Sequence, residues 1–385
     1  MRLKPAILCV LSFVACNSDM TGTHADDGAA SVMSVAASLT DVCAVLDTGR
    51  LYCVGKNYGT MAVAVMPALR FKSVDGFGSP ANGASGFCAL DSADAAYCWG
   101  TNADGQLGVG DNGPHAEPTR VAGGLKFKSI AVSETHTCGI TLDSSTWCWG
   151  HGTTGALGSG QFSSSSVPVR AAGNTVFTQV STGNDFSCAL NAVGALFCWG
   201  LNTTGQLADG SQQNRNAPAP AQTVVAFKTL ARRNTNFACA LDMAGAAYCW
   251  GNANPFGGTL PNPPSCNGHG CLPVPTALPT SIRFSSLTAN AIGGMCGITT
   301  SQTVGCWGIN VADRFGVAGV CPGEAGCYAP QAGPSGFIAI SGSALTNCGL
   351  TAKGEAWCWG DNSHGQLGDS VHANSSTAPV QFRWK

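Results

Sequence analysis

The sequence predicts an all-β protein, a seven-bladed β-propeller of four-stranded blades with one disulfide per blade. Seven cysteine pairs share a single spacing, C-x9-C. They are Cys43 with Cys53, Cys88 with Cys98, Cys138 with Cys148, Cys188 with Cys198, Cys239 with Cys249, Cys296 with Cys306, and Cys348 with Cys358. The pairs recur about every 50 residues, the mark of an array of repeats rather than of separate domains. The 51 glycines and the 10% content of charged residues suit a chain of many tight turns. No stretch sustains a 3.6-residue apolar period.

Each repeat reads as four strands. A short apolar strand comes first, as in Phe127-Lys128-Ser129-Ile130-Ala131-Val132. A hairpin follows. In the second repeat Phe87-Cys88-Ala89-Leu90 runs out, Asp91-Ser92-Ala93-Asp94 turns, and Ala95 to Gly100 returns. This places the two cysteines opposite each other, within reach of a disulfide. By period-2 alternation Cys88 and Leu90 share one face, and Tyr97 and Trp99 point away from Cys98. The hairpin thus has a disulfide side and an apolar side. A Pro-containing segment such as Pro168-Val169-Arg170 closes the unit, and Pro suits an edge strand. A hairpin alone is marginal in water, so the repeats need one another. Stacked solenoid coils are the alternative, but their repeats are shorter and hold fewer strands.

The most specific motif follows the returning strand. Trp99-Gly100-Thr101-Asn102 with Gly105-Gln106-Leu107-Gly108 recurs as Trp199-Gly200-Leu201-Asn202 with Gly205-Gln206-Leu207. It recurs again as Trp359-Gly360-Asp361-Asn362 with Gly365-Gln366-Leu367-Gly368, and in part as Trp149-Gly150 with Gly155-Ala156-Leu157-Gly158. Gly permits the positive φ of a tight loop, and Asn bonds its own backbone there. One Trp in each repeat after the first (Trp99, Trp149, Trp199, Trp250, Trp307, Trp359) at a strand end reads as packing between blades rather than as an aromatic cage.

From about residue 31 to 385 this pattern resembles the regulator of chromosome condensation repeat family. The resemblance implies seven-bladed propellers, in agreement with the repeat count. Repeat one departs with Val54-Gly55 in place of Trp-Gly, and repeats five and six diverge after Trp250-Gly251 and Trp307-Gly308. In that family the cysteine pairs look like an addition of exported members. The eukaryotic namesake is a nuclear guanine-nucleotide exchange factor that binds chromatin. A closer functional analogue would be the secreted bacterial members, including a β-lactamase inhibitor protein that resembles this fold and binds a protein through one propeller face. Fold does not carry function across such a range.

Residues 1–16 read as a secretion signal. Arg2 and Lys4 form the charged region and Ala6 to Val14 the apolar one, too short to span a bilayer permanently. Phe13-Val14-Ala15-Cys16 resembles a bacterial lipobox, with Cys16 as the lipidated residue. Residues 17–30 read as a polar tether, and 31–385 as the propeller. Setting aside Cys9 and Cys16, the 20 cysteines leave an even number, which with export implies disulfides.

The net charge is −2, from 19 basic and 21 acidic residues, and the sequence holds no basic run. Phosphate neutralisation needs clustered Lys and Arg, so nucleic acid is not expected as a partner. Two further cysteine pairs, Cys266 with Cys271 and Cys321 with Cys327, follow the Trp-Gly motif in adjacent repeats. Their disulfide-tied loops, with Asn267, Gly268, His269, Gly323 and Glu324, are the candidate recognition site, since stiff loops lose little entropy on binding. The Cys266, His269, Cys271 spacing lacks a fourth metal ligand, and no metal or other cofactor is expected. His136 stands two residues before Cys138, where other repeats have Phe186 and Phe237; it reads as structural. Thr141 to Trp147 faintly resembles the structural Asp box of sialidases.

The expectation is an exported, lipid-anchored, monomeric, non-enzymatic binding module at the cell surface or outer membrane. It would recognise a protein or glycan through loops on one face and touch the membrane only through its anchor. An alternative is a glycan-acting hydrolase or lyase at the channel mouth, which needs carboxyls roughly 5–9 Å apart. A second alternative, guanine-nucleotide exchange, conflicts with export.

Overall fold

The computed structural model describes residues 30–231, 236–253, 265–266, 269–278, 280–289, 294–308, 329–330, 333–343, 345–369 and 374–384. The described chain forms seven antiparallel sheets, each made of consecutive strands. Blade 1 comprises Val32–Ala37, Asp41–Leu46, Leu51–Gly55 and Gly59–Val65. Blade 3 shows the expected unit in full: Phe127–Val132, His136–Thr141, Thr146–Gly150 and Ser165–Arg170. Blades 2 to 7 each open their innermost strand on a buried Phe: Phe71, Phe127, Phe177, Phe227, Phe284 and Phe337.

Innermost strands touch their neighbours around a central channel. The Val32–Ala37 strand meets both Phe71–Gly78 of blade 2 and Phe337–Gly342 of blade 7, so the ring closes. None of the described sheets mixes strands from the two chain ends; closure is by packing and by Val32 N–H donating to the Gly354 carbonyl at 2.7 Å.

All seven C-x9-C pairs are disulfides, one per blade. Cys43 is joined to Cys53, Cys88 to Cys98, Cys138 to Cys148 and Cys188 to Cys198. Cys239 is joined to Cys249, Cys296 to Cys306 and Cys348 to Cys358. In every case the two cysteines stand directly opposite each other on the hairpin. Their Cα atoms are 4.0–4.1 Å apart. Such closeness belongs to the non-hydrogen-bonded positions of an antiparallel pair. The disulfide side of a hairpin is itself core, which corrects the expectation that the two sides differ. Cys138 and Cys148 are buried with Phe177, Val180 and Trp199 of the next blade. Cys53, Cys249, Cys306 and Cys358 are likewise fully buried. The bridges therefore supply part of the apolar seam between thin blades.

The Trp-Gly motif is a β-bulge. Pairing between the third and outer strands slips between Cys148 and Gly150, and equally between Cys98 and Gly100 and between Cys198 and Gly200. The slip aims the indole into the inter-blade seam. Gly150 holds φ 108°, and a Cβ there would lie 2.5 Å from the Thr135 carbonyl oxygen. Only glycine fits such a position. Trp149, Trp199, Trp250 and Trp359 are fully buried, the packing role expected for them.

Blade 5 departs from four strands. It carries an added two-residue strand, Ser265–Cys266, paired with the start of His269–Ala277. The Cys266–Cys271 disulfide staples this small hairpin. Cys321 and Cys327 lie outside the described residues, as do 1–29 with Cys16.

Candidate functional site

Strand direction sorts the connections into two ends. Links from first to second strand, and from third to outer strand, emerge at what we call the loop end. The tight second-to-third hairpins and the links between blades lie at the hairpin end.

At the loop end the repeated motif folds into a self-bonded lobe. Asn102 Oδ1 accepts from Leu107 N–H at 2.9 Å, and Asn202 and Asn362 do the same for Leu207 and Leu367 at 2.9 and 2.8 Å. Gln106 Oε1 accepts from Asp104 N–H at 3.0 Å, with Gln206 and Gln366 in the same role. The leucines are buried beneath. Each lobe also leans on the next blade. Trp199 Nε1 donates to the Ala156 carbonyl at 2.8 Å, and Trp250 Nε1 to that of Gln206 at 2.9 Å. The two halves of the motif thus meet across the seam, a coupling invisible within one repeat.

Blade 1 lacks this lobe. Residues 56–58 replace what spans 101–114 in blade 2. Tyr58 takes over as acceptor, its hydroxyl receiving the Trp99 Nε1 hydrogen at 2.7 Å. Burial pushes the Tyr58 phenol well above its usual range; the Trp99 bond opposes this, and the Asp41 and Glu117 carboxylates add to it. Asp41 is buried and accepts from Asn57 N–H, Asn57 Nδ2 and Thr40 Oγ1. The missing lobe leaves a cleft of about 590 Å³ between blades 1 and 2. Tyr58, Phe87 and Trp99 line it with Asp41, and Lys56, His115 and Glu117 also line it. The departure of repeat one from the motif was the signal in the sequence for this cleft.

A second cluster spans blades 3 and 4. His151 Nδ1 lies 2.7 Å from Asp185 Oδ1, and its Nε2 lies 2.7 Å from Thr153 Oγ1. Thr154 Oγ1 donates to the Asp185 carbonyl at 3.0 Å. Asp185 holds φ 61°, an uncommon conformation that these contacts fix. Nearby Asp104 has its carboxyl pushed up, first by burial and then by Asp185, against the opposing pull of His151. Beneath them His136 is fully buried, its Nε2 2.7 Å from Ser187 Oγ and its Nδ1 3.2 Å from Ser133 Oγ. Burial pulls its pKa down to about 4, so it is neutral at pH 7. It bridges two blades, the structural role expected of it.

The described lining of the channel cavity, about 320 Å³, carries Ser34, Ser73, Ser129, Thr178, Gln179, one carboxylate, Asp75, and one cation, Lys128. The Asp-box-like stretch is a hairpin turn in which Asp143 Oδ1 accepts from Ser145 N–H at 3.0 Å. Among the described residues no group of three His, Cys, Asp or Glu is placed to hold a metal ion. Of the candidate loop residues, Asn267, Gly268, Gly323 and Glu324 lie outside the described residues. His269 is described only as backbone, in the stapled hairpin. That hairpin follows the third strand of blade 5, so its connection belongs to the loop end.

Charge divides between the ends. Asp41, Asp104, Asp111, Asp185, Asp209 and Asp361 all stand at the loop end. Lys56 and Arg215 are the only Lys or Arg there among the described residues, and Arg215 is paired to Asp209 at 3.0 Å.

The regulator of chromosome condensation (RCC1) repeat matches residues 94–140, 143–190 and 193–239, and a second form of the same repeat matches 177–206 and 337–366. The chain belongs to the regulator of chromosome condensation repeat family. Several solved structures align over nearly its whole length. Human WBSCR16 matches with a TM-score of 0.65 at 17% identity, covering 91% of this chain and 82% of that one. Yeast RCC1 (Prp20), in a structure with Kap60, matches at 0.69 and 15% identity, covering 97% and 91%. The CRINKLY WD40 ectodomain of the Arabidopsis thaliana receptor kinase ACR4 matches at 0.56 and 17%, covering 92% and 100%. These are likenesses of fold. A sequence search of curated proteins gives no match.

The disulfide pairs suit an oxidising, extracytoplasmic environment. No helix among the described residues is long and apolar enough to cross a membrane.

Proposed function

We propose that this RCC1-repeat propeller is an exported, lipid-anchored binding module that recognises a protein partner through its loop end. The observation that carries the reading is the loop end itself: self-bonded lobes, a cleft with an aromatic floor and, among the described residues, carboxylates in excess of cations. Rigid lobes lose little entropy on association. Aromatic anchors in a desolvated cleft are the usual centres of binding energy. Excess carboxylate favours a partner that presents a basic surface. Solved structures of the related yeast Prp20 concern Kap60, and binding to Gsp1p and histones, which supports a protein rather than a glycan as the ligand class. The stapled loops of Asn267, Gly268 and His269, and of Gly323 and Glu324, would extend the same surface.

The test is capture from surface and secreted fractions on the oxidised chain, beside a variant carrying Asp104→Asn, Asp111→Asn and Asp361→Asn. A partner held by the parent and lost, or strongly weakened, in the variant is expected. Equal retention by both would move the site off the loop end. Anchoring is tested separately: Cys16→Ser should abolish incorporation of labelled fatty acid and release the protein from the membrane fraction. Unchanged incorporation would remove the anchor from the reading.

A further inference from the structure

The hairpin end is the electrostatic opposite of the loop end. Arg120, Lys126, Lys128, Arg170, Lys228 and Arg283 stand there, exposed, on blades 2, 3 and 5 and on the links that enter blades 3 and 6. They are scattered over more than a hundred positions in sequence, so no basic run announces them; the repeat brings each to the same end of its blade. Four carboxylates, fewer than the cations, stand at the same hairpins. Asp94 is paired to Lys72. Asp91, Asp143 and Asp242 are bound into their own turns, accepting from Ala93 and Ala95 N–H, from Ser145 N–H, and from Ala244 and Ala246 N–H.

Exposed aliphatic tips accompany the cations. Leu142, Val193 and Met243 crown the hairpins of blades 3, 4 and 5, with 48%, 73% and 61% of their surface exposed. Val176 and Val224 protrude from the links entering blades 4 and 5. Three consecutive hairpins that each raise an apolar side chain among cations form a continuous arc. The chain also enters the propeller here. Asp47 N–H donates to the Ser31 carbonyl and Val32 N–H to that of Gly354, so the first described residues lie among the hairpins of blades 1 and 7.

We infer that this arc is a docking surface for anionic phospholipid headgroups. Cations draw the face to the surface potential, and the aliphatic tips enter the headgroup boundary. A nucleic acid would answer the cations but leave Leu142, Val193 and Met243 without a partner. An acyl chain on Cys16 would leave the propeller from the same end, so the two contacts would act together and turn the loop end outward. The lipid contact does not require the loop end to bind anything, nor Cys16 to be acylated.

The experiment uses the full oxidised chain carrying Cys16→Ser, so that no acyl chain contributes. Co-sedimentation is measured with vesicles of phosphatidylglycerol and phosphatidylethanolamine, and with vesicles of phosphatidylcholine alone. Binding to the anionic vesicles only, weakening with salt, is expected. Lys126→Glu with Lys128→Glu and Arg170→Glu should weaken it roughly tenfold or more. Leu142→Ser with Met243→Ser should weaken it without changing its salt dependence. Lys56→Glu, at the loop end, should leave it unchanged and serves with thermal melts as the folding control. Equal binding to both vesicle types, indifference to the arc variants, or tighter binding to duplex DNA than to the anionic vesicles would each overturn the inference.

Discussion

His136 shows how one buried side chain ties stability to pH. Its folded pKa is about 4, against about 6.5 for an unfolded histidine. Between these values the unfolded chain takes up a proton that the folded chain refuses. Stability is therefore complete above pH 6.5, falls as pH drops toward 4, and levels below it. The slope attributable to this residue is at most about 1.4 kcal/mol per pH unit. Denaturant melts of His136→Phe, which installs the residue found at Phe186 and Phe237, should lack that slope; an unchanged profile would remove His136 as its source. Gly108 makes a steric rather than an ionic claim. A Cβ there would lie 2.5 Å from Trp149 Nε1, on a backbone at φ 71°. Gly108→Ala should cost roughly 1–3 kcal/mol from crowding in the same melts. A cost near zero would mean that the lobe does not bear on the next blade. Tyr58→Phe removes the acceptor for Trp99 Nε1 and should destabilise by about 1–3 kcal/mol. The glycines and tryptophans of these seams were legible as loop formers and packing residues. That one presses on the other was not, because the partners belong to different repeats.

The hairpin is the element that the sequence described best. Ten residues from Cys to Cys, with a turn midway, left little choice of register, and the cysteines do face each other, from Cys43 and Cys53 to Cys348 and Cys358. The bulge at Trp-Gly was not legible, since a slip of pairing leaves no change in the apolar alternation. Nor was the burial of the disulfide side, which depends on how the next blade is placed. The bridges carry two roles in consequence. For a sequence separation of 10, as in Cys188–Cys198, the chain-entropy term is about 2.8 kcal/mol. Cys188→Ala with Cys198→Ala should lose at least that, because the sulfurs also fill the seam beside Leu196 and Trp250. Cys266 and Cys271 are also buried but close a shorter loop in the added hairpin at the sheet edge, so Cys266→Ala with Cys271→Ala should cost less, about 2 kcal/mol from chain entropy. Chemical denaturation of the two double variants separates the cases; a larger loss for the Cys266–Cys271 pair would contradict the ranking.

At the scale of the whole molecule the seven pairs predicted seven blades, and the ring has them. How the ring closes could not be read from one repeat. At the final seam Val54 stands where other blades place Trp, and a Cβ at Gly368 would lie 3.4 Å from the ring of Phe382, in the place where one at Gly108 would meet an indole. A phenyl ring from beyond the last strand thus does the work of the missing tryptophan. Phe382→Ala should cost about 3–5 kcal/mol, the range for emptying a buried aromatic site. The division of charge was also hidden, because only the fold collects Lys126, Arg170 and Lys228 at one end and Asp104, Asp111 and Asp361 at the other. The central claim is that recognition belongs to the acidic loop end. Its most direct test places a photo-crosslinking amino acid at Thr101 and His364 on that end, and separately at Val193 on the other, and exposes each protein to its captured partner. Crosslinks from Thr101 and His364 without Val193 are predicted. Crosslinks from Val193 alone would contradict the account and assign the partner to the hairpin end.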